Sequence, residues 1–258
     1  MKRIRMIVQY EGTNYVGWQT QANGPSIQQT IEKEIKKLSG ESAALHGSGR
    51  TDSGVHALAQ VAHFDTESRI PPDKWCYALN AGLPDDIRVL YSGEASLEFH
   101  ARFGVQKKHY RYTLQLGPHA QVFCRKTALH LHHTPDFALM EQSAAQLLGT
   151  HDFAAFKSTG VDVKSTVRTI YRSEWTRSGD MAYYDVAGSG FMYNMVRILT
   201  GTMLEIGGGL LPENAVTHAL ESGNRSDAGA TAPACGLMLQ RVEYLDFDTA
   251  DYVLTEAR

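Results

Sequence analysis

The sequence lacks the features that mark several classes of protein. None of its apolar runs approaches the roughly 20 residues that cross a bilayer. The basic and then apolar start, MKRIRMIVQYEG, is short and alternating and has no small-residue cleavage site, so it is not typical of a signal peptide. The three cysteines lie far apart without a C-x-x-C pair, which argues against a disulfide framework or a zinc site. We therefore expect a cytoplasmic protein with no membrane segment and no metal.

Acidic residues are missing from one long stretch of the chain. Between Phe99 and Pro135 there is no Asp or Glu, although the net charge of all 258 residues is −3 and the C-terminal end is acidic. A local basic stripe in an acidic protein can meet phosphates. An unevenly charged, solvated surface explains the same pattern equally well. The cations of the stretch are Arg102, Lys107, Lys108, Arg111, Arg125 and Lys126, together with six histidines.

Periodicity predicts two halves with the same order of elements. Residues 3–10 alternate as in a strand, and a capping box of Ser26 and Gln29 opens a helix with one apolar stripe. In the second half, the segment from Thr134, the predicted N-cap, to Gly149 is a helix between strands. Each half has the order β-α-β-β-α-β, the ferredoxin-like unit, and two such units can join their sheets and leave a cleft. We expect an α+β fold.

The stretch HGSGRTDSGVHALAQ, residues 46–60, places three glycines around one arginine and one aspartate. An Asp in a Gly-rich connection is most often a turn former. The stretch lacks the Lys-Ser/Thr of a P-loop and the G-x-S-x-G of a nucleophile elbow. His56 lies four residues after Asp52, but the intervening glycine argues against a metal site on one helical face. What is left is a carboxylate with a cation two residues before it, which favours the ionised and nucleophilic form.

The segment GSGRTDSGVHA closely resembles the active-site motif of the TruA-type tRNA pseudouridine synthases. The resemblance covers nearly the whole chain and departs only slightly, because Ser53 stands where many members carry Ala. The further segments that carry it are FHARF at 99–103, KKHYRYTL at 107–114, HDFAAF at 151–156, TVRTIYRS at 166–173, GSGFMYNMVRILTGTMLEIG at 188–207 and TAPACGLMLQRVEY at 231–244.

The resemblance implies a pseudouridine synthase fold, with two ferredoxin-like halves joined into a mixed, mainly antiparallel sheet with a central cleft. Residues 1–104 would form the half that carries the Asp loop, residues 105–245 the half with the Tyr strand and the Arg helix, and residues 246–258 an acidic tail. It also implies a cofactor-free isomerase that converts uridine to pseudouridine at positions 38, 39 and 40 of the tRNA anticodon stem-loop. Family members are homodimers, so we expect a homodimer.

The resemblance assigns Asp52 as the catalytic residue, whose carboxylate attacks either the base or the sugar. Arg50 would hold the target nucleotide out of the stack, and Tyr110 would pack on the uracil. Arg197 would pair with the catalytic carboxylate. It lies roughly 140° from the centre of the stripe Met192, Met195, Val196, Leu199, Met203 and Ile206, which is predicted to be core, so a solvated Arg is the simpler interpretation. RNA-backbone candidates are Lys107, Lys108 and Arg111, whereas the HLHH segment at 130–133 is expected at the surface or facing RNA.

Three other functions are compatible with parts of the pattern. A non-catalytic RNA-binding module would use Tyr110 and the basic stripe, but it has no need of a carboxylate beside phosphates. A paralogue acting on another RNA would carry the same motifs. A small-molecule hydrolase using Asp52 would need a second acid or base at motif spacing, which the sequence lacks.

Overall fold

The computed structural model describes residues 1–160 and 163–253 and divides the chain into two compact units. The first unit is Met1–Gln106 with the chain from Leu239 on, and the second is Lys107–Met238. Strands and helices occur in both, so the α+β class is confirmed. Residues 254–258 of the predicted acidic tail lie outside the described residues.

The first unit has the predicted order β-α-β-β-α-β. Its elements are β1 Lys2–Tyr10, α1 Ile27–Ser39, β2 His46–Gly47, β3 His56–Thr66, α2 Trp75–Asn80 and β4 Ile87–Ala95. Strand β1 is central and pairs antiparallel with β3 on one side and β4 on the other, and the short β2 pairs with β3. The last strand, β10 Leu237–Glu243, lies beside β3. This pairing places the Asp52 loop between β2 and β3.

Helix α1 follows its sequence pattern closely. The Ser26 hydroxyl accepts a hydrogen bond from the Gln29 N–H, as the capping box predicts, and Gly40 ends the helix with a φ of 77°. Ile27, Ile31 and Ile35 are fully buried. The apolar stripe therefore holds α1 in the core of the first unit, where burial of each side chain contributes about 1.5–3 kcal/mol.

The second unit has more elements than the sequence predicts. They are β5 Lys107–Leu116, β6 Leu129–Leu131, α3 Phe137–Ala145, β7 Gly149–Asp152, β8 Val167–Ser178, β9 Met181–Gly188, α4 Met195–Gly207 and α5 Ala215–Ser222. Strands β5, β9, β8 and β7 form antiparallel neighbours in that order. The predicted stripe of α4 is buried throughout, which confirms it as core. Trp175 stacks on Tyr184 at 5.1 Å between ring centroids within this core.

Two predicted helix starts are wrong by a few residues, that of α3 and that of α4, which the segment FMYNMVRILTGTMLEIGGG predicts to begin at Phe191. The N-cap of α3 is Asp136 and not Thr134, because the Asp136 carboxylate accepts hydrogen bonds from the N–H groups of Ala138 and Leu139. Helix α4 begins only after Asn194, which has a left-handed φ of 58°. No helix in the described ranges is long and apolar enough to cross a membrane.

Candidate active site

The Asp52 loop, residues 48–55, is held on one side by strand β3. The Ser48 N–H donates to the Val61 carbonyl at 2.7 Å, and the Ser48 hydroxyl donates to the Gln60 side chain. The side-chain nitrogen Nε2 of Gln60 in turn donates to the Gly49 carbonyl at 2.9 Å. Ser48 and Gln60 are both fully buried. The first residues of the loop therefore have buried hydrogen-bond partners and a fixed path.

A second segment, residues 10–18, holds the loop from the other side. The Tyr10 hydroxyl lies 2.8 Å from the Thr51 hydroxyl in a buried contact, and the Trp18 N–H donates to the Thr51 carbonyl at 3.1 Å. The Gly54 N–H donates to the Tyr15 carbonyl at 3.3 Å. Sequence reasoning gave no role to the part of this segment that follows β1. The only local signal there is the cluster of aromatic and glycine residues in EGTNYVGW.

Two glycines of that segment allow the loop to approach closely. A Cβ on Gly12 would lie 2.0 Å from the Val55 carbonyl oxygen, and a Cβ on Gly17 would lie 2.5 Å from the Thr51 carbonyl oxygen. Gly17 also has a φ of 108°, which side chains of L residues rarely adopt. Both positions therefore require glycine for the loop to sit where it does.

Asp52 is half-buried in this loop, between the buried Thr51 and the exposed Ser53. Burial, and with it the negative charge of Asp52, raises the pKa of Tyr10 well above its usual range, so the phenol stays neutral beside the carboxylate. Arg50 is exposed, and it makes no hydrogen bond or ion pair within the described part of the chain. The loop thus presents one carboxylate and, two residues before it, one cation available to an incoming anion.

Tyr110 lies on β5, opposite Val186 of β9, and is almost fully buried. Its ring packs edge-on against Phe191 with the centroids 5.3 Å apart. Tyr112, two residues on, donates from its hydroxyl to the Pro233 carbonyl at 2.7 Å. Tyr112 is therefore core, as strand aromatics usually are, whereas Tyr110 lies nearer the end of the same strand face.

Arg197 is half-buried near the start of α4 and is held in a fixed orientation. Its Nε donates to the Ala232 carbonyl at 2.7 Å, and its terminal nitrogen donates to the Asn194 side chain at 2.8 Å. Asn194 is the one non-glycine residue with positive φ among those that the structure describes. Asn tolerates that conformation best, and such strained positions are concentrated at functional sites.

The three RNA-backbone candidates lie on β5, and one of them is engaged in a buried ion pair. Arg111 donates two hydrogen bonds, both 2.9 Å, to the carboxylate of Asp185. Asp185 also lies 3.1 Å from His109. Burial opposes ionisation of Asp185, but the hydrogen bonds from His109 and Arg111 outweigh it and lower the pKa of the carboxyl to about 2. Lys107 and Lys108 are half-buried.

Metal-ligand geometry is absent from the described residues, where no three His, Cys, Asp or Glu side chains are grouped to hold an ion. In the HLHH segment, the Nε2–H of His130 donates to the Gly117 carbonyl at 2.7 Å, and its ring contacts His132 edge-on. His132 and His133 are exposed. This agrees with the predicted surface position of the segment.

Comparison with known proteins identifies the family. The family model described as tRNA pseudouridine synthase matches residues 6–104 and 143–245, so Asp52, Arg50 and Arg197 lie inside the match and Tyr110 outside it. The chain is 46% identical to tRNA pseudouridine synthase A of Acetivibrio thermocellus over 95% of its own length and 100% of that protein. It is 45% identical to the protein of the same name from Ruminiclostridium cellulolyticum, again over 95% and 100%.

Similarity to solved structures is weak. A crystal structure of an archaeal box H/ACA sRNP Nop10–Cbf5 complex matches with a TM-score of 0.34 and 12% identity, over 97% of this chain and 50% of that one. A similarity of this size carries no argument. The family match and the two relatives together show that the chain belongs to the tRNA pseudouridine synthase family, whose enzymes isomerise uridine in tRNA.

Proposed function

We propose that this enzyme converts uridine to pseudouridine at positions 38, 39 and 40 of the tRNA anticodon stem-loop, with Asp52 as the catalytic nucleophile. The observation that carries the proposal is the anchoring of residues 48–55 by β3 on one side and by residues 10–18 on the other. A turn-forming Asp needs no such double support. A nucleophile does, because a displacement of about 1 Å can cost two orders of magnitude in rate.

The reaction is an isomerisation, so no atom is gained or lost overall. The bond between uracil N1 and the ribose C1′ breaks, the base rotates, and a bond between C5 and C1′ forms; the C5 proton leaves, and N1 takes up a proton. An ionised carboxylate can take part either by attacking the sugar or by attacking the base. Both routes need Asp52 ionised and close to the reacting nucleotide, and neither needs a metal or an organic cofactor.

Arg50 and Tyr110 are proposed to keep the target uridine out of the stack. A base inside a duplex must be flipped out before chemistry on it, at a cost of a few kcal/mol. Arg50 is suited to this because its exposed guanidinium has no hydrogen-bond partner within the described residues. Tyr110 offers an aromatic ring on which an unstacked base can pack.

Arg197 is proposed to pair with the Asp52 carboxylate, as the family resemblance implies. Support comes from its fixed orientation, because the Ala232 carbonyl and the Asn194 side chain both accept hydrogen bonds from its guanidinium. Lys107, Lys108 and Arg111 are proposed to contact the RNA backbone. Of these, Arg111 would do so while bound to Asp185, which lowers the charge it offers to phosphate.

The positions are tested with tRNA transcripts that carry tritium at uracil C5 of one nucleotide only. We expect release from nucleotides 38, 39 and 40 and none from a uridine elsewhere in the anticodon arm. Release from another nucleotide would identify a paralogue with a different target, and binding without release would indicate an RNA-binding module. Sedimentation of the enzyme alone tests the proposed homodimer.

A further inference from the structure

Three aromatic side chains of the first unit form a continuous series of tilted ring contacts that the proposed chemistry does not use. The rings of His100 and Phe103 lie 4.3 Å apart between centroids, and the ring of His46 lies 5.5 Å from that of His100. His63 lies beneath, 5.0 Å from His46 and 4.8 Å from His100. We call His46, His100 and Phe103 the Phe103 platform. Its outermost member is Phe103, which is 78% exposed.

The exposure of Phe103 does not arise from a loose loop. The ring nitrogen Nδ1 of His100 accepts hydrogen bonds from the N–H groups of Arg102 and Phe103, at 3.1 and 3.4 Å. Ala101, between His100 and Arg102, is fully buried, and its carbonyl accepts a hydrogen bond from the Tyr244 hydroxyl at 2.6 Å. The turn is therefore anchored to the core of the first unit, and it holds an apolar ring in solvent at a fixed position.

The surroundings of the platform are cationic. The Arg102 guanidinium lies 5.8 Å from the centroid of the Phe103 ring and is itself exposed. Burial, and then the positive charges nearby, lower the pKa of His100 and bring that of His63 to about 4. These two imidazoles are thus neutral at pH 7 and serve as flat rings. An exposed π-face flanked by a cation is the combination that binds unstacked bases in single-stranded nucleic acid.

The platform begins at the same loop that carries the proposed nucleophile. His46 is in β2, and Asp52 follows six residues later. Six residues of extended chain span at most about 20 Å, so platform and carboxylate are within reach of one short RNA segment.

We propose that the Phe103 platform is a stacking site for an unpaired base of the RNA substrate, distinct from the base that is isomerised. The inference rests on the proposed function for the identity of the RNA. Base stacking accounts for what core packing does not, namely an exposed phenyl ring that is rigidly supported, edged by Arg102 and packed against the ring of His100.

The test uses three variants of Phe103 and one matched control. Phe103→Ala removes the ring, Phe103→Leu keeps apolar bulk without a π-face, and Phe103→Trp keeps the π-face. Tyr77 of α2 provides the control, because it is 70% exposed and has the Lys74 amine 5.6 Å from its ring centroid. Binding of the anticodon stem-loop is measured at one stated salt concentration, together with kcat and KM.

We expect Phe103→Ala and Phe103→Leu to weaken binding about 5- to 150-fold, the range seen when a ring that stacks on one base is removed. Phe103→Trp should bind as well as the wild type, and Tyr77→Ala should leave affinity unchanged. All variants should keep the wild-type melting temperature within about 2 °C, because both rings are exposed. Wild-type affinity in Phe103→Ala, or equal losses in Phe103→Ala and Tyr77→Ala, would overturn the proposal.

An abasic scan of the stem-loop then identifies the base. At one position, removal of the base should weaken binding by the wild type but not by Phe103→Ala. If no position shows this coupling, the platform does not stack on a base. Tritium release by the wild type is scored separately, so that failure of the proposed function is distinguished from failure of the platform.

Discussion

Replacing Gly17 by alanine tests whether the support of the Asp52 loop matters for catalysis. In the structure, a Cβ at this position would lie 2.5 Å from the Thr51 carbonyl oxygen and 3.1 Å from the Asp52 carbonyl carbon. Ordinary contacts begin at about 3.4 Å, so the loop must move by about 1 Å. The φ of 108° adds backbone strain for any residue other than glycine.

The magnitudes follow from these two causes. Strain at such a φ costs about 1–3 kcal/mol and a forced contact with backbone about 1–3 kcal/mol, while the less flexible unfolded chain returns about 0.4–1 kcal/mol. We expect Gly17→Ala to lower the free energy of unfolding by about 1–5 kcal/mol and the melting temperature by about 2–20 °C. A 1 Å displacement beside Asp52 should reduce kcat by about 10- to 100-fold.

Gly40→Ala is the matched control. Gly40 ends helix α1 with a φ of 77°, and a Cβ there would meet nothing within 4 Å. This variant has the strain without the contact, so it should lose about 1 kcal/mol of stability and no kcat. Both are assayed by tritium release at saturating tRNA, well below either melting temperature. Equal kcat in Gly17→Ala and Gly40→Ala would refute the argument that this close approach positions the nucleophile.

Further predictions concern the neighbours of the loop and the ion pair of the second unit. Tyr10→Phe removes the hydroxyl that contacts Thr51, and it should cost about 1 kcal/mol of stability and lower kcat severalfold; unchanged kcat would show that this contact does not position Asp52. Asp185→Asn should lower the free energy of unfolding at pH 7 by about 2–3 kcal/mol, while the control Glu174→Gln, at an exposed pair with Arg172, should change it by less than about 0.5 kcal/mol. Because the pKa of Asp185 is lowered to about 2 in the folded state, the stabilisation by its ionised carboxylate is present above about pH 4 and is lost as the pH falls through 2. Urea unfolding should therefore show that the difference in free energy of unfolding between the wild type and Asp185→Asn becomes smaller from pH 4 to pH 2. If this difference stays constant from pH 4 to pH 2, the ion pair of Asp185 with Arg111 is not its cause.

Local signals in the sequence account for what was predicted correctly. The capping box of Ser26 and Gln29 and the isoleucine stripe act within a few residues of each other, so the start and buried face of α1 follow directly. The start of α3 was wrong because Thr134 and Asp136 are both good caps, and local preference does not decide between them.

The contacts that support the candidate site connect distant parts of the chain. Tyr10 and Thr51 are 41 residues apart, and Arg111 and Asp185 are 74 apart. No periodicity shows such pairs, because they depend on strand register. The Asp52 motif was found by its resemblance to a family, whereas the role of residues 10–18 in holding the Asp52 loop is visible only in the structure. The same holds for Arg111, because no local pattern predicts its ion pair with Asp185.

The most direct test of the account is tritium release from C5-labelled tRNA by the wild type and by Asp52→Asn, with RNA binding measured in parallel. The substitution keeps the shape of the side chain and removes its charge. We predict release by the wild type, none detectable from Asp52→Asn within many wild-type turnover times, and affinities for tRNA within about threefold of each other. Release by Asp52→Asn at the wild-type rate would contradict the role of Asp52 as the nucleophile.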